Sequence, residues 1–105
     1  MHRRYRNVEI EQLAASLDDE TELDLESKHL TDQDIEILAK RLRKNRTLTT
    51  LHLYDNQIGD KGAQHLADAL QHNTTLTTLD LSSNQIGDEL MDCVAKLIKR
   101  NGMQK

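Results

Sequence analysis

The chain has 105 residues, 30% of them charged, and a formal net charge of −4, which is the scale of one small, mildly acidic domain. It has no Pro, Phe or Trp and only two Tyr, so any core must be aliphatic. No apolar run approaches the roughly 20 residues needed to span a bilayer, the lone Cys93 excludes an internal disulfide, and the basic start Met1-His2-Arg3-Arg4-Tyr5-Arg6 leads into no apolar signal segment, so a reducing, cytoplasmic setting is expected.

The first element is a predicted helix. Ile10, Leu13, Ala14 and Leu17 recur at the i, i+3, i+4, i+7 spacing of an amphipathic helix. The same spacing returns at Ile35, Leu38, Ala39 and Leu42, so residues 1–19 read as an N-terminal cap, a repeat's helix without its strand.

From residue 20 the chain repeats. Leu48-Thr49-Thr50-Leu51-His52-Leu53-Tyr54-Asp55-Asn56-Gln57-Ile58-Gly59-Asp60 returns 28 residues later as Leu76 to Asp88, and a weaker copy carries Leu23, Leu25, Leu30 and Asp32. Three units follow, 20–47, 48–75 and 76–103. Each is predicted to open with a strand, near 23–25, 51–53 and 79–81, whose period-two leucines share one face. Asp32, Asp60 and Asp88 stand where a helix N-cap is needed. The spacing predicts helices near 7–17, 32–44, 60–72 and 88–100. Asn45, Asn73 and Asn101 fall where a left-handed residue would stop each helix. A fixed period marks a solenoid, in which each unit's apolar face is covered by its neighbour.

The run Leu48-Thr-Thr-Leu51-x-Leu53-x-x-Asn56-x-Ile58, followed by Gly62-Ala63-x-x-Leu66-Ala67-x-Ala69-Leu70, resembles the leucine-rich repeat family, in its ribonuclease-inhibitor-like subfamily. The resemblance implies a right-handed α/β leucine-rich-repeat solenoid with a short parallel sheet on the concave side and helices on the convex side, here as a single domain 1–105. It implies that the amides of Asn56 and Asn84 tie turn to turn. Lys28 holds that place in the first unit, where no strand-bearing repeat precedes it. It also implies a binding scaffold, as in ribonuclease inhibitor, NOD-like receptors and tropomodulin. By fold analogy alone with the Ran GTPase-activating protein, a GTPase regulator is an alternative.

In a parallel stack, equivalent residues lie about 4.8 Å apart, so the concave rows follow from the sequence. They are Glu22, Thr50, Thr78, then Asp24, His52, Asp80, then Glu26, Tyr54, Ser82. With Asp55 beside them, this face holds five carboxylates and no Lys or Arg. It predicts docking of a basic protein or peptide on Glu22, Asp24, Glu26, His52, Tyr54, Asp55 and Asp80, with the aromatic and imidazole groups as anchors. The competing reading is a solvated sheet whose charges discourage edge pairing.

Asp24, His52 and Asp80 read as a charge ladder. A flat ladder offers no pocket and no nucleophile, so no catalytic residue, metal or cofactor is expected. The basic run Lys40, Arg41, Arg43, Lys44, Arg46 has no interleaved aromatics and reads as a solvated helix end, so no nucleic acid and no membrane is expected. Cys93 reads as a quiet small hydrophobe.

The last helix is atypical. Leu90, Met91 and Leu97 replace Gly62, Ala63 and Ala69. This predicts a homodimer through 76–103 that buries Leu90, Met91, Val94, Leu97 and Ile98 and pairs strand 79–81 with its symmetry mate. The alternative is that the same bulk caps its own core.

Overall fold

The computed structural model describes residues 7–103; the basic segment Arg3-Arg4-Tyr5-Arg6 lies outside them. Helix α1 (Val8–Ala15) ends in a short 3-10 turn, Leu17–Asp19. Then come β1 (Glu22–Asp24), α2 (Asp32–Leu42), β2 (Thr50–His52), α3 (Asp60–Leu70), β3 (Thr78–Asp80) and α4 (Asp88–Gly102). The strands form one parallel sheet in the order β1-β2-β3. Leu23 pairs with Leu51 and Leu51 with Leu79, so partners are one repeat apart. The helices pack in chain order, α1 on α2, α2 on α3 and α3 on α4.

The core lies between sheet and helices. Leu51, Leu53, Ile58, Leu66 and Leu70 of the second repeat are fully buried, together with Ile35, Leu38 and Leu42 of the first and Leu48 and Leu76 at the strand entries. Ile10, Ala14 and Leu17, from α1 and the turn after it, are buried as well.

Local bonds set the element ends. The Asn7 side chain caps α1 by accepting from the Ile10 amide, and Thr31 with Asp34 forms a capping box on α2. Asp32, Asp60 and Asp88 are not the caps that the sequence suggests. They are the first helical residues, behind Thr31, Gly59 and Gly87. The carboxylates of Asp32 and Asp60 instead reach across the stack, each accepting the amide of the next repeat's glycine, Gly59 or Gly87, at 2.7 Å.

The helix-end asparagines also differ from expectation. Helices α2 and α3 stop at Leu42 and Leu70, while α4 runs on through Asn101. None of Asn45, Asn73 and Asn101 is left-handed; among the described residues the positive φ values belong to Ser27, His29, Asp55 and Ser83. The three asparagines are buried because their amides bond across the stack. Asn73 Nδ2 donates to the carbonyls of Leu42 and Asn45, Asn101 Nδ2 to those of Asn73 and Leu76, and Asn45 Nδ2 to the Asp18 carboxylate. Asn45 Oδ1 and Asn73 Oδ1 in turn accept the amides that lead into β2 and β3, of Leu48 and Leu76.

The strands begin and end one residue earlier than the leucine pattern places them. Leu25 and Leu53 still donate to the His52 and Asp80 carbonyls at 2.8 Å. The turn has already begun there: Asp24 and Asp80 each accept the amide two residues on, of Glu26 and Ser82.

Candidate interaction surface

The sheet face turned away from the helices is built by period-two alternation. Leu23 and Leu51 point into the core, and Glu22, Asp24, Thr50, His52, Thr78 and Asp80 point out in two cross-strand rows. The third row, Glu26, Tyr54 and Ser82, lies just past the strands and is exposed, with Tyr54 at 40%. Ser27, Asp55 and Ser83 then turn the chain with φ near +57° (55, 59 and 58). Small polar residues tolerate this left-handed region better than branched ones. The Ser27 hydroxyl donates to the Asp55 carboxylate at 2.8 Å, joining the first two turns at the rim.

The rows are as the sequence lays them out, but the charges pair differently. His52 Nε2 lies 3.3 Å from Glu22 Oε2, a diagonal contact, and not against the aspartates of its own row. Asp24 and Asp80 each commit an oxygen to their own turn, which leaves the expected ladder open. At Asp80 the Ser82 hydroxyl donates at 2.6 Å and the Ser82 amide at 3.0 Å. These two bonds, with a smaller contribution from the charge of His52, hold the Asp80 carboxyl below its ordinary value against a small opposing effect of burial.

Beneath the face, Asn56 and Asn84 knit the turns as expected. Asn56 Oδ1 accepts the amides of Lys28 and Leu30, and its Nδ2 donates to the Leu25 and Leu53 carbonyls. Asn84 does the same one repeat on, with the amides of Asn56 and Ile58 and the carbonyls of Leu53 and Leu81. The outward rows therefore rest on a hydrogen-bonded edge. Two sets of ties escaped the sequence reading, the Asp32/Asp60 carboxylates and the Thr49 and Thr77 hydroxyls, which donate to the carbonyls of Thr21 and Thr49. Their 28-residue recurrence was the available signal.

Elsewhere, Lys40 and Arg43 line a shallow groove between α2 and α3 beside Glu36, His65 and Asp68, on the helix side. Among the described residues no group of three or more His, Cys, Asp or Glu side chains is placed to hold a metal ion, and no helix is long and apolar enough to cross a membrane. Cys93 is half-buried with a free thiol. Met91, the buried Val94 and Ile98 line a groove of about 240 Å³ together with Leu79 and Leu81. Leu90 lines a cleft between the first turns of α3 and α4 with Asp60 and Gln64. Leu97 is half-buried and packs against the core.

The Leucine Rich repeat family model matches residues 44–67 and 72–89, stretches that hold β2, β3 and the starts of α3 and α4. No curated protein matches the sequence. Among solved structures, the tropomodulin C-terminal domain of Caenorhabditis elegans superposes with a TM-score of 0.74 at 18% identity, over 88% of this chain and 58% of that one. Leiomodin-1 Actin-Binding Site 2 superposes with a TM-score of 0.68 at 23% identity, over 93% of this chain and 75% of that one. The chain thus spans somewhat more than half of the tropomodulin domain. At these identities the likeness establishes the fold.

Proposed function

We propose that this protein is a non-enzymatic protein-interaction module that docks a basic protein or peptide on the open face of its sheet. The observation that carries the reading is the concentration of Glu22, Asp24, Glu26, Asp55 and Asp80 on one face without a Lys or Arg, around a Tyr54 that is 40% exposed. An exposed aromatic on a rigid strand end is the kind of side chain that dominates binding energy, and an acidic surround steers a cationic partner. The structural relative described as an actin-binding site supports a scaffold role and makes actin a candidate partner alongside cationic peptides. The 28-residue period supports the ribonuclease-inhibitor-like subfamily.

The test is a titration of the protein with an arginine-rich peptide, and separately with actin, followed by backbone amide shifts. Shifts confined to residues 21–27, 49–55 and 77–83, weakened by salt, are the expected result. Tyr54→Ala should weaken binding more than removal of any one carboxylate. Shifts on α2 and α3 instead would overturn the assignment.

A second reading, a homodimer through Leu90, Met91, Val94, Leu97 and Ile98, is favoured by the apolar groove beside β3. Its five side chains lie outside the set proposed for docking, so light scattering at high micromolar concentration tests it separately.

A further inference from the structure

The outer edge of the third repeat carries an unfilled copy of the bonds that join the other repeats. Between repeats one and two, the Leu25 and Ser27 amides donate to the His52 and Tyr54 carbonyls; between two and three, the Leu53 and Asp55 amides donate to those of Asp80 and Ser82. The Leu81 and Ser83 amides hold these places in repeat three and have no partner among the described residues. The turn shows the same pattern. Asn84 Oδ1 takes the amides of Asn56 and Ile58, but no oxygen among the described residues takes those of Asn84 and Ile86. The Thr21 and Thr49 carbonyls each accept from the next repeat, and the Thr77 carbonyl does not. Beside these groups runs the apolar groove floored by Leu79, Leu81 and Val94 and walled by Met91, Ala95 and Ile98.

We propose that this edge is a recognition site for an extended segment of a partner polypeptide carrying Leu-x-Leu-x-x-Asn. The segment adds as a fourth strand parallel to β3. Its two leucines seat against the groove, and its asparagine oxygen is shared by the Asn84 and Ile86 amides. The molecule itself shows what fits: the corresponding edges of β1 and β2 present the same groups, and each is covered by such a segment. Strand addition takes affinity from main-chain bonds and specificity from pockets for alternate side chains.

A second folded copy does not reproduce this set of main-chain and asparagine bonds. A two-fold mate pairs β3 antiparallel, which carries its asparagine away from the Asn84 and Ile86 amides. Head-to-tail stacking would bring β1 of one copy beside β3 of the other. There α1 already covers the side of α2 that would have to pack on α4. An unfolded segment meets neither obstacle. This site lies off the acidic face, and its test is independent of that reading.

The probe is a synthetic peptide with the sequence of residues 76–87, Leu-Thr-Thr-Leu-Asp-Leu-Ser-Ser-Asn-Gln-Ile-Gly, titrated into the full chain and followed by amide NMR and hydrogen exchange. The Leu81, Ser83, Asn84 and Ile86 amides should shift saturably and gain protection. The peptide bearing Asn84→Ala should bind roughly tenfold more weakly, as expected for the loss of two or more hydrogen bonds. In the protein, Ala95→Glu at an exposed helix position should block the groove and abolish binding without moving the unfolding midpoint. Absence of saturable shifts at millimolar peptide, equal binding of the Asn84→Ala peptide, or shifts on the β1 edge would each overturn the proposal. So would protection of those four amides in a peptide-free dimer, which would make a second copy the occupant.

Discussion

Repeats two and three share Leu-Thr-Thr-Leu-x-Leu-x-x-Asn-Gln-Ile-Gly-Asp, yet the same residues meet different surroundings. Leu51, Leu53 and Ile58 are sealed at 0% exposure, whereas Leu79 and Ile86 are only half-buried. Asn56 is buried and Asn84 is not. Repeat two is covered on both sides, repeat three on one. In a stack the stability of a residue is set by its nearest-neighbour interfaces as much as by its own chemistry. Identical sequence therefore does not mean identical energetic weight, and paired substitutions in the two repeats measure the difference.

The largest contrast should come from the strand leucines. Leu51→Ala removes a fully buried side chain between two neighbours and should cost about 3–4 kcal/mol. Leu79→Ala loses packing on one side and should cost about half as much. Urea unfolding with an unchanged m-value reads both. Equal costs would break the comparison, because they would mean that repeat three is covered in solution.

The asparagines come next. Asn56→Ala strands the buried Leu30 amide and the Leu25 carbonyl, while the Leu53 carbonyl keeps its bond from Asn84, a loss of about 2–3 kcal/mol at ~1–3 kcal/mol per unsatisfied buried group with partial relaxation. Asn84→Ala exposes its partners partly to water and should cost about 1 kcal/mol. The same denaturant series decides it. A larger loss at Asn84 would place the weak interface between repeats two and three.

A third pair concerns the first helical turn. A Cβ on Gly62 would meet Asp32 Oδ1 at 2.6 Å and Ile58 Cγ2 at 2.9 Å, so α3 sits tight on the preceding loop because it has no side chain there. Gly62→Ala gains about 1 kcal/mol of helix propensity but meets an overpacking cost of about 1–3 kcal/mol. A net loss of about 1 kcal/mol is expected from these two. Repeat three has Leu90 at this place, where a cleft separates the helix turns, so Leu90→Ala should change stability by less than about 0.5–1 kcal/mol. Thermal melts of both variants suffice, and a stabilised Gly62→Ala would show that the loop yields easily.

Much of this was legible in the sequence. The leucine alternation gave the strands to within a residue and their register without error, because a 28-residue repeat stacks like on like. Asn56 and Asn84 were readable as ties from the family pattern. The roles of Asp32, Asp60, Asn45 and Asn73 were not, because local rules offer caps and left-handed stops for these residue types, while their actual partners lie about one repeat away. The same limit applies to the acidic face. The rows follow from periodicity, but a diagonal bond such as His52 to Glu22 depends on side-chain reach, which periodicity does not contain.

The smallest effect sharpens the comparison at a single turn. At the strand end, repeat two has His52, which reaches to Glu22 of its neighbour. Repeat three has Asp80, which closes its own turn through Ser82. The outer repeat thus supplies from within what the inner one draws from alongside. The consequence is a pH dependence of known sign. The Asp80 carboxyl titrates below its ordinary value of 3.8, chiefly because of the Ser82 hydroxyl and then the Ser82 amide. A depressed folded pKa means that the group's contribution is fully present above the ordinary value and is lost as pH falls through the lower, folded one. The carboxylate is well hydrated, so its contribution to stability is small, and the direct readout is an NMR titration of the Asp80 carboxyl carbon. Ser82→Ala should move that titration up toward 3.8, and His52→Ala should move it less, since the imidazole is the weakest of the lowering contacts. The stability difference between wild type and Ser82→Ala should shrink as pH falls below the folded value. If His52→Ala shifts Asp80 more than Ser82→Ala does, the third repeat's turn is held by its neighbour after all, and the two repeats are more alike than their bonds suggest.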